Sequence, residues 1–129
     1  MYVDSGDTLN KDCIDTIFSA IEQNTAAYFY TWRFFDGDTH AISKPDEEKV
    51  CSKVFAREFI TRYNIHWISG VGSYACEDYG YIRTCNVILG YLKTIDYCDR
   101  IYTSNEILTN LVPDNNSITR ANQFEFVFN

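Results

Sequence analysis

Cys76, His66 and the pair Glu77-Asp78 are the residues of this chain whose types could support nucleophilic chemistry. A thiol nucleophile needs a histidine base within hydrogen-bond reach and a third group to orient that base. Cys76 lies ten residues after His66, and nothing in the sequence supplies either the adjacency or the orienting group. A core thiol and a partly exposed histidine are the plainer reading. Glu77-Asp78 and Glu47-Glu48 could pair for acid–base work, but sequence neighbours point to different faces of a helix. Glu47-Glu48 also suits the positive end of a helix. His40, between Thr39 and Ala41, reads as solvated loop. The five cysteines, Cys13, Cys51, Cys76, Cys85 and Cys98, are odd in number and widely spaced, which argues for reduced thiols and not a disulfide framework. Without a C-x-x-C or clustered histidines they make no metal site. There is no phosphate loop, dinucleotide fingerprint or serine elbow. The expectation is a protein that is not an enzyme and that needs no cofactor.

Binding is then the class to weigh, and composition narrows it. The chain has 129 residues, 46% hydrophobic and 16% aromatic, enough for one domain with a core of its own. A net charge of −7 repels phosphate backbones, and no lysine or arginine stripe overrides that field, so nucleic acid is not an expected partner. The N-terminus lacks a basic stretch followed by an apolar run, so no signal peptide is read there. The apolar run Val87–Leu92 is far short of a membrane span. An intracellular protein without a transmembrane anchor is expected. Asn115-Asn116-Ser117 is formally a glycosylation sequon, read without secretion as a turn.

The elements that would carry a binding surface read as helices. Asp4, Ser5 and Asp7 offer capping oxygens before Thr8-Leu9. Ile14, Ile17, Phe18 and Ile21 then recur at three- and four-residue spacing as far as Gln23, with Lys11, Asp15, Ser19, Glu22 and Gln23 between them. Residues 26–35 are apolar on nearly every side. They either continue this helix into the core or form a second, buried one, stopped by Asp36-Gly37-Asp38. Ser43-Lys44-Pro45-Asp46 predicts another helix start, and the helix ends near Tyr63-Asn64. Ile65 to Tyr74 is ambiguous between strand and buried central helix, because Gly70 and Gly72 each cost a helix about 1 kcal/mol; the central helix is favoured, turning near Gly80. Tyr81, Cys85, Ile88, Leu92 and Ile95 mark a helix running to Cys98 or Tyr102. Ser104 could cap a short helix over Ile107, Leu108 and Leu111, ended by Pro113. Phe124, Phe126 and Phe128 alternate like a strand, with a docked helix as the equal alternative. The predicted fold is all-α, a compact bundle of about six to eight helices.

An acidic, aromatic-rich bundle could receive an amphipathic helix in an apolar groove. Ala56, Phe59, Ile60, Tyr63, His66, Ile68, Ser69, Val71 and Gly72 are the candidate walls, with Trp67 pinning the corner between two helices. The competing reading is that the same apolar positions fill the core. The segment Val54–Tyr74, with Asn64-Ile65-His66-Trp67 at its corner, resembles the signature region of the Bcl-2 family of apoptosis regulators, particularly the divergent forms of large DNA viruses. That region is an amphipathic helix, then Asn-Trp-Gly-Arg, then a buried central helix. Trp67 is in register. His66, Ile68 and Ser69 stand where the family has asparagine, glycine and arginine. The resemblance implies a Bcl-2-like bundle with a central buried helix. Its function would be to inhibit apoptosis by sequestering the BH3 helix of pro-apoptotic host proteins such as Bim, Bak or Bax. It would act in the host cytoplasm, reaching the mitochondrial surface through those partners. Ser69 cannot make the bidentate contact of the family's arginine with a BH3 aspartate. An unfilled groove is an exposed apolar patch, so a homodimer is also expected. The second reading is a small helical viral or regulatory adaptor that binds a protein by a surface patch.

Overall fold

A mixed sheet, and not a helix, occupies the centre of the molecule. The computed structural model describes residues 1–3, 6–37, 40–46, 49–67 and 77–112. In chain order the elements are β1 (Thr8–Leu9), α1 (Cys13–Gln23), β2 (Phe29–Asp36), β3 (Lys53–Phe55), α2 (Arg57–Arg62), α3 (Glu77–Asp96) and β4 (Ile101–Leu111). The strands lie in the order β1-β4-β2-β3. β2 and β4 run parallel, while β1 pairs antiparallel with β4, and β3 with β2.

The sequence of β2, Phe-Tyr-Thr-Trp-Arg-Phe-Phe-Asp, explains why it is a strand. Aromatic and β-branched side chains pack well on a pleated surface, and successive ones point to opposite faces. Phe29 enters a cluster with Phe59, Tyr81, Ile82, Cys85, Leu89 and Leu92 on one face. Tyr30 and Trp32 enter a second cluster with Cys13, Ile17, Ala20 and Leu108 on the other. α1 therefore covers one face and α2 with α3 the other. A strand buried on both faces shows a continuous apolar run instead of an alternation.

The expected all-α bundle is thus corrected to a mixed α/β fold with three helices among the described residues. Neither helical alternative for 26–35 holds, because that run is β2. Thr8-Leu9 is strand, and α1 begins at Cys13 after Asp12, with no side-chain cap; Asp7 instead accepts a hydrogen bond from Val112 N at 3.0 Å. Within α1 the buried residues are Cys13, Ile17 and Ala20, whereas Ile14 and Phe18 are exposed. Asp46 does accept a cap-like bond from Lys49 N at 2.7 Å, but the chain goes on into β3 before α2. The helix expected over 107–111 is the second half of β4. α3 contains Gly80 instead of turning there, and it stops at Asp96. Residues 68–76, the expected central helix, and 113–129 lie outside the described residues.

The corner before Trp67 is built by the backbone. Asn64 adopts φ 51°, and Ile65 N reaches Ile60 O at 3.0 Å while Asn64 N reaches Thr61 O at 3.3 Å. This pair of bonds closes a helix through a left-handed residue. The expected end at Tyr63-Asn64 is therefore right. Trp67 stacks on Tyr81 at 4.4 Å between centroids, and Tyr2 meets both rings edge-on. It joins the corner to α3 and to the N-terminus.

Candidate functional site

A cleft of about 420 Å³ lies between α1 and β4, lined by Asp15, Thr16, Ser19, Ala20, Gln23, Tyr102, Ser104 and Glu106. Residues three and four apart share a helix face, so Asp15, Ser19 and Gln23 form one ridge of α1, flanking the buried line of Ile17 and Ala20. Tyr102 forms part of the floor, with ring centroids 5.9 Å from Tyr30 and 6.1 Å from the fully buried Trp32. Tyr30 ties that floor to the end of α1 by donating its hydroxyl to Asn24 O at 2.7 Å, and burial raises its pKa.

The β4 wall is irregular in a specific way. Thr31 pairs with Thr103, and Arg33 with Ile107, so one residue of β2 opposes three of β4; a second shift follows between Arg33 and Phe34. Bulges of this kind re-aim side chains and terminate pairing. Here two bonds fix the bulge: Glu106 N donates to Ser104 Oγ at 3.1 Å, and Arg33 Nε donates to Asn105 O. Arg33 also donates to Ile42 O at 3.2 Å, clamping the loop after β2 to the same point. The outcome is that Ser104 and Glu106 both face the cleft.

The outer side of β4 is the second feature of the site. β1 pairs with β4 only at Thr109 and Asn110, and Asn10 extends this to Leu108 and Ile107 by backbone and side-chain bonds. Among the described residues no strand covers Ile101–Glu106 on the side away from β2. Along this edge Ile101 N donates to Asp99 Oδ1 at 3.0 Å, Glu106 N to Ser104 Oγ, and Asn105 O accepts from Arg33; an edge without a strand partner presents its remaining outward N–H and C=O groups to one. Chemically, the cleft offers hydroxyls, a side-chain amide and two exposed carboxylates, beside an edge of β4 that no described strand covers. No lysine, arginine, histidine or cysteine lines it.

No family model, curated protein or solved structure matches this chain.

The residues singled out by the sequence sit elsewhere. Phe59 is 1% exposed within the core, with Ala56, Ile60, Tyr63 and Trp67 packed against that cluster. Of the described groove candidates, Phe59 is in the core, and Ala56, Ile60 and Tyr63 are half-buried against it. His66 is exposed and its Nδ1 bonds to Asn64 O at 2.9 Å. Ile68, Ser69, Val71 and Gly72 lie outside the described residues, as does Cys76, so the His66–Cys76 pairing has no described geometry. His40 is exposed. Burial pushes the Cys51 and Cys85 thiols up to about 12, that of Cys51 against the pull of Lys53 and Lys49, and burial raises Cys13 as well. None of these three is an activated thiol. Among the described residues no group of three or more metal-ligating side chains forms, and no helix is long and apolar enough to cross a membrane. Sequence reasoning finds Asp15, Ser19 and Gln23 on the polar side of α1 but misses the cleft they line, because β4 reads as helical.

Proposed function

We propose that this chain is a protein-interaction module that receives an extended polypeptide segment along the outer edge of β4. The observation that carries the reading is the stretch Ile101–Glu106, which among the described residues has α1 beside it and no strand on its outer edge. Strand addition to an open edge draws affinity from main-chain bonds, and alternate side chains then probe a neighbouring wall. In this molecule α1 is that wall. Natural sheets usually shorten, cover or charge a long edge; this one is charged at Glu106 and, among the described residues, has no strand over it.

Capture of a BH3 helix is the competing reading; of its expected groove, Phe59 is buried in the core, while Ala56, Ile60 and Tyr63 are half-buried. The host-cytoplasmic and mitochondrial location belongs to that reading.

Panning the chain against a phage-displayed library of random peptides tests the proposal. Selected peptides should shift the backbone amide signals of Ile101–Glu106 and Asp15–Gln23, and proline at alternate peptide positions should abolish binding. Peptides that bind as helices and shift α2 and Trp67 would bring BH3-type capture forward instead. Selection of no peptide would sink the module reading.

A further inference from the structure

We infer that the segment received in the cleft is basic: its backbone adds to β4 as a strand, and two lysine or arginine side chains two positions apart enter between α1 and the β4 bulge. This rests on the reading of the β4 edge as a peptide-binding site and adds the chemistry of its occupant.

Length is the first argument. From Asp15 to Gln23 the α1 ridge rises about 12 Å, and an extended chain advances roughly 3.3 Å per residue. The wall therefore faces about four residues of an added strand. Alternate side chains of a strand share a face, so two of the four point into the cleft and two away from it.

Charge is the second. The charged side chains of the lining are Asp15 and Glu106, one on each wall, and Thr16, Ser19 and Gln23 supply further oxygen acceptors around them. Two acids without a lining cation suit two incoming cations, and the chain's net charge of −7 extends the same field outward. Ammonium and guanidinium groups donate several hydrogen bonds and accept none, which suits the acceptor-only carboxylates of Asp15 and Glu106, with hydroxyl and amide oxygens beside them. The same charges act against other occupants. A second copy carries the same excess of negative charge. An acidic peptide meets both carboxylates head-on.

Three capped nine-residue peptides decide the matter, each titrated into isotope-labelled protein while backbone amide shifts are followed. One alternates lysine with valine, the second carries glutamate for lysine, and the third is the lysine peptide N-methylated at alternate residues. The lysine peptide should shift Ile101–Glu106 and α1, and bind about tenfold more tightly than the other two. Added salt should weaken it. Asp15→Lys and Glu106→Lys should each weaken it several-fold, and the double variant should bind the glutamate peptide better than the wild type does. Equal binding of the lysine and glutamate peptides at β4 would overturn the basic specificity and leave strand addition standing. Equal binding of the N-methylated peptide would overturn strand addition itself. Spermidine giving the same shifts at equal affinity would make the cleft a small-amine site and overturn the peptide. Absence of shifts at β4 and α1 with every peptide would overturn both this inference and the function it rests on.

Discussion

At the scale of single residues, the hydroxyl pair Ser52–Thr109 shows how tightly the sheet is specified. The two oxygens lie 2.5 Å apart, fully or nearly fully buried, across β2. Ser52 also holds a left-handed backbone at φ 56° and accepts Trp32 N at 3.0 Å through its carbonyl. Replacing one partner strands the other hydroxyl away from water, which costs about 1–3 kcal/mol, whereas replacing both with apolar groups of similar shape is far milder. Ser52→Ala is therefore expected to lose about 1–3 kcal/mol of stability in urea unfolding. Adding Thr109→Val should recover part of that loss. If the double variant is as unstable as the sum of the singles, the pair is not coupled in this way. Nothing in the sequence marked either residue, because a hydroxyl pair between positions 57 apart has no local signature.

At the scale of elements, legibility followed the number of buried faces. α3 was read through Tyr81, Cys85, Ile88 and Leu92, since a helix with one buried side keeps its 3.6-residue period. The end of α2 was legible too, because Asn64 is a residue type that tolerates the left-handed conformation. β2 hid its period of two by burying both faces. β4 hid it differently: its extra bulge residues set Ser104, Ile107, Leu108 and Leu111 at three- and four-residue steps, a spacing that mimics a helix. The cleft was lost with the strand that forms its wall. Arg33 holds this disguise in place, bonding Asn105 O and Ile42 O at once. Arg33→Ala is expected to speed amide exchange at Ser104–Glu106 and around Ile42 by at least about tenfold, while α3 stays protected. Arg33→Lys should not restore the protection, because an ammonium cannot reproduce a planar fork of donors. Uniform loosening of the whole chain would instead mean that Arg33 supports global stability only.

At the scale of the whole molecule, the two clusters on opposite faces of one sheet should make the fold sensitive to alkaline pH through the α3 side. Cys85 is 0% exposed, and burial pushes its thiol up to about 12 from its ordinary value of 9.0. Between those values the unfolded chain releases this proton while the folded chain keeps it, so the unfolded state binds fewer protons and stability falls as pH rises. The contribution is intact below about pH 9 and is lost progressively towards pH 12, at roughly 1.4 kcal/mol per pH unit for one group. Tyr81, raised by burial and then by its hydrogen bond with Tyr2, shares the cluster and adds a loss of the same sign at higher pH. Cys85→Val keeps an apolar side chain of similar size and removes the titrating group. Its urea midpoint is expected to decline less steeply than that of the wild type from pH 9 upward, by about one proton in the slope. The two proteins should run parallel below pH 8. An unchanged alkaline slope in the variant would show that Cys85 opens to water before the sheet does, and that the α3 face is not the part of the molecule that holds it together at high pH.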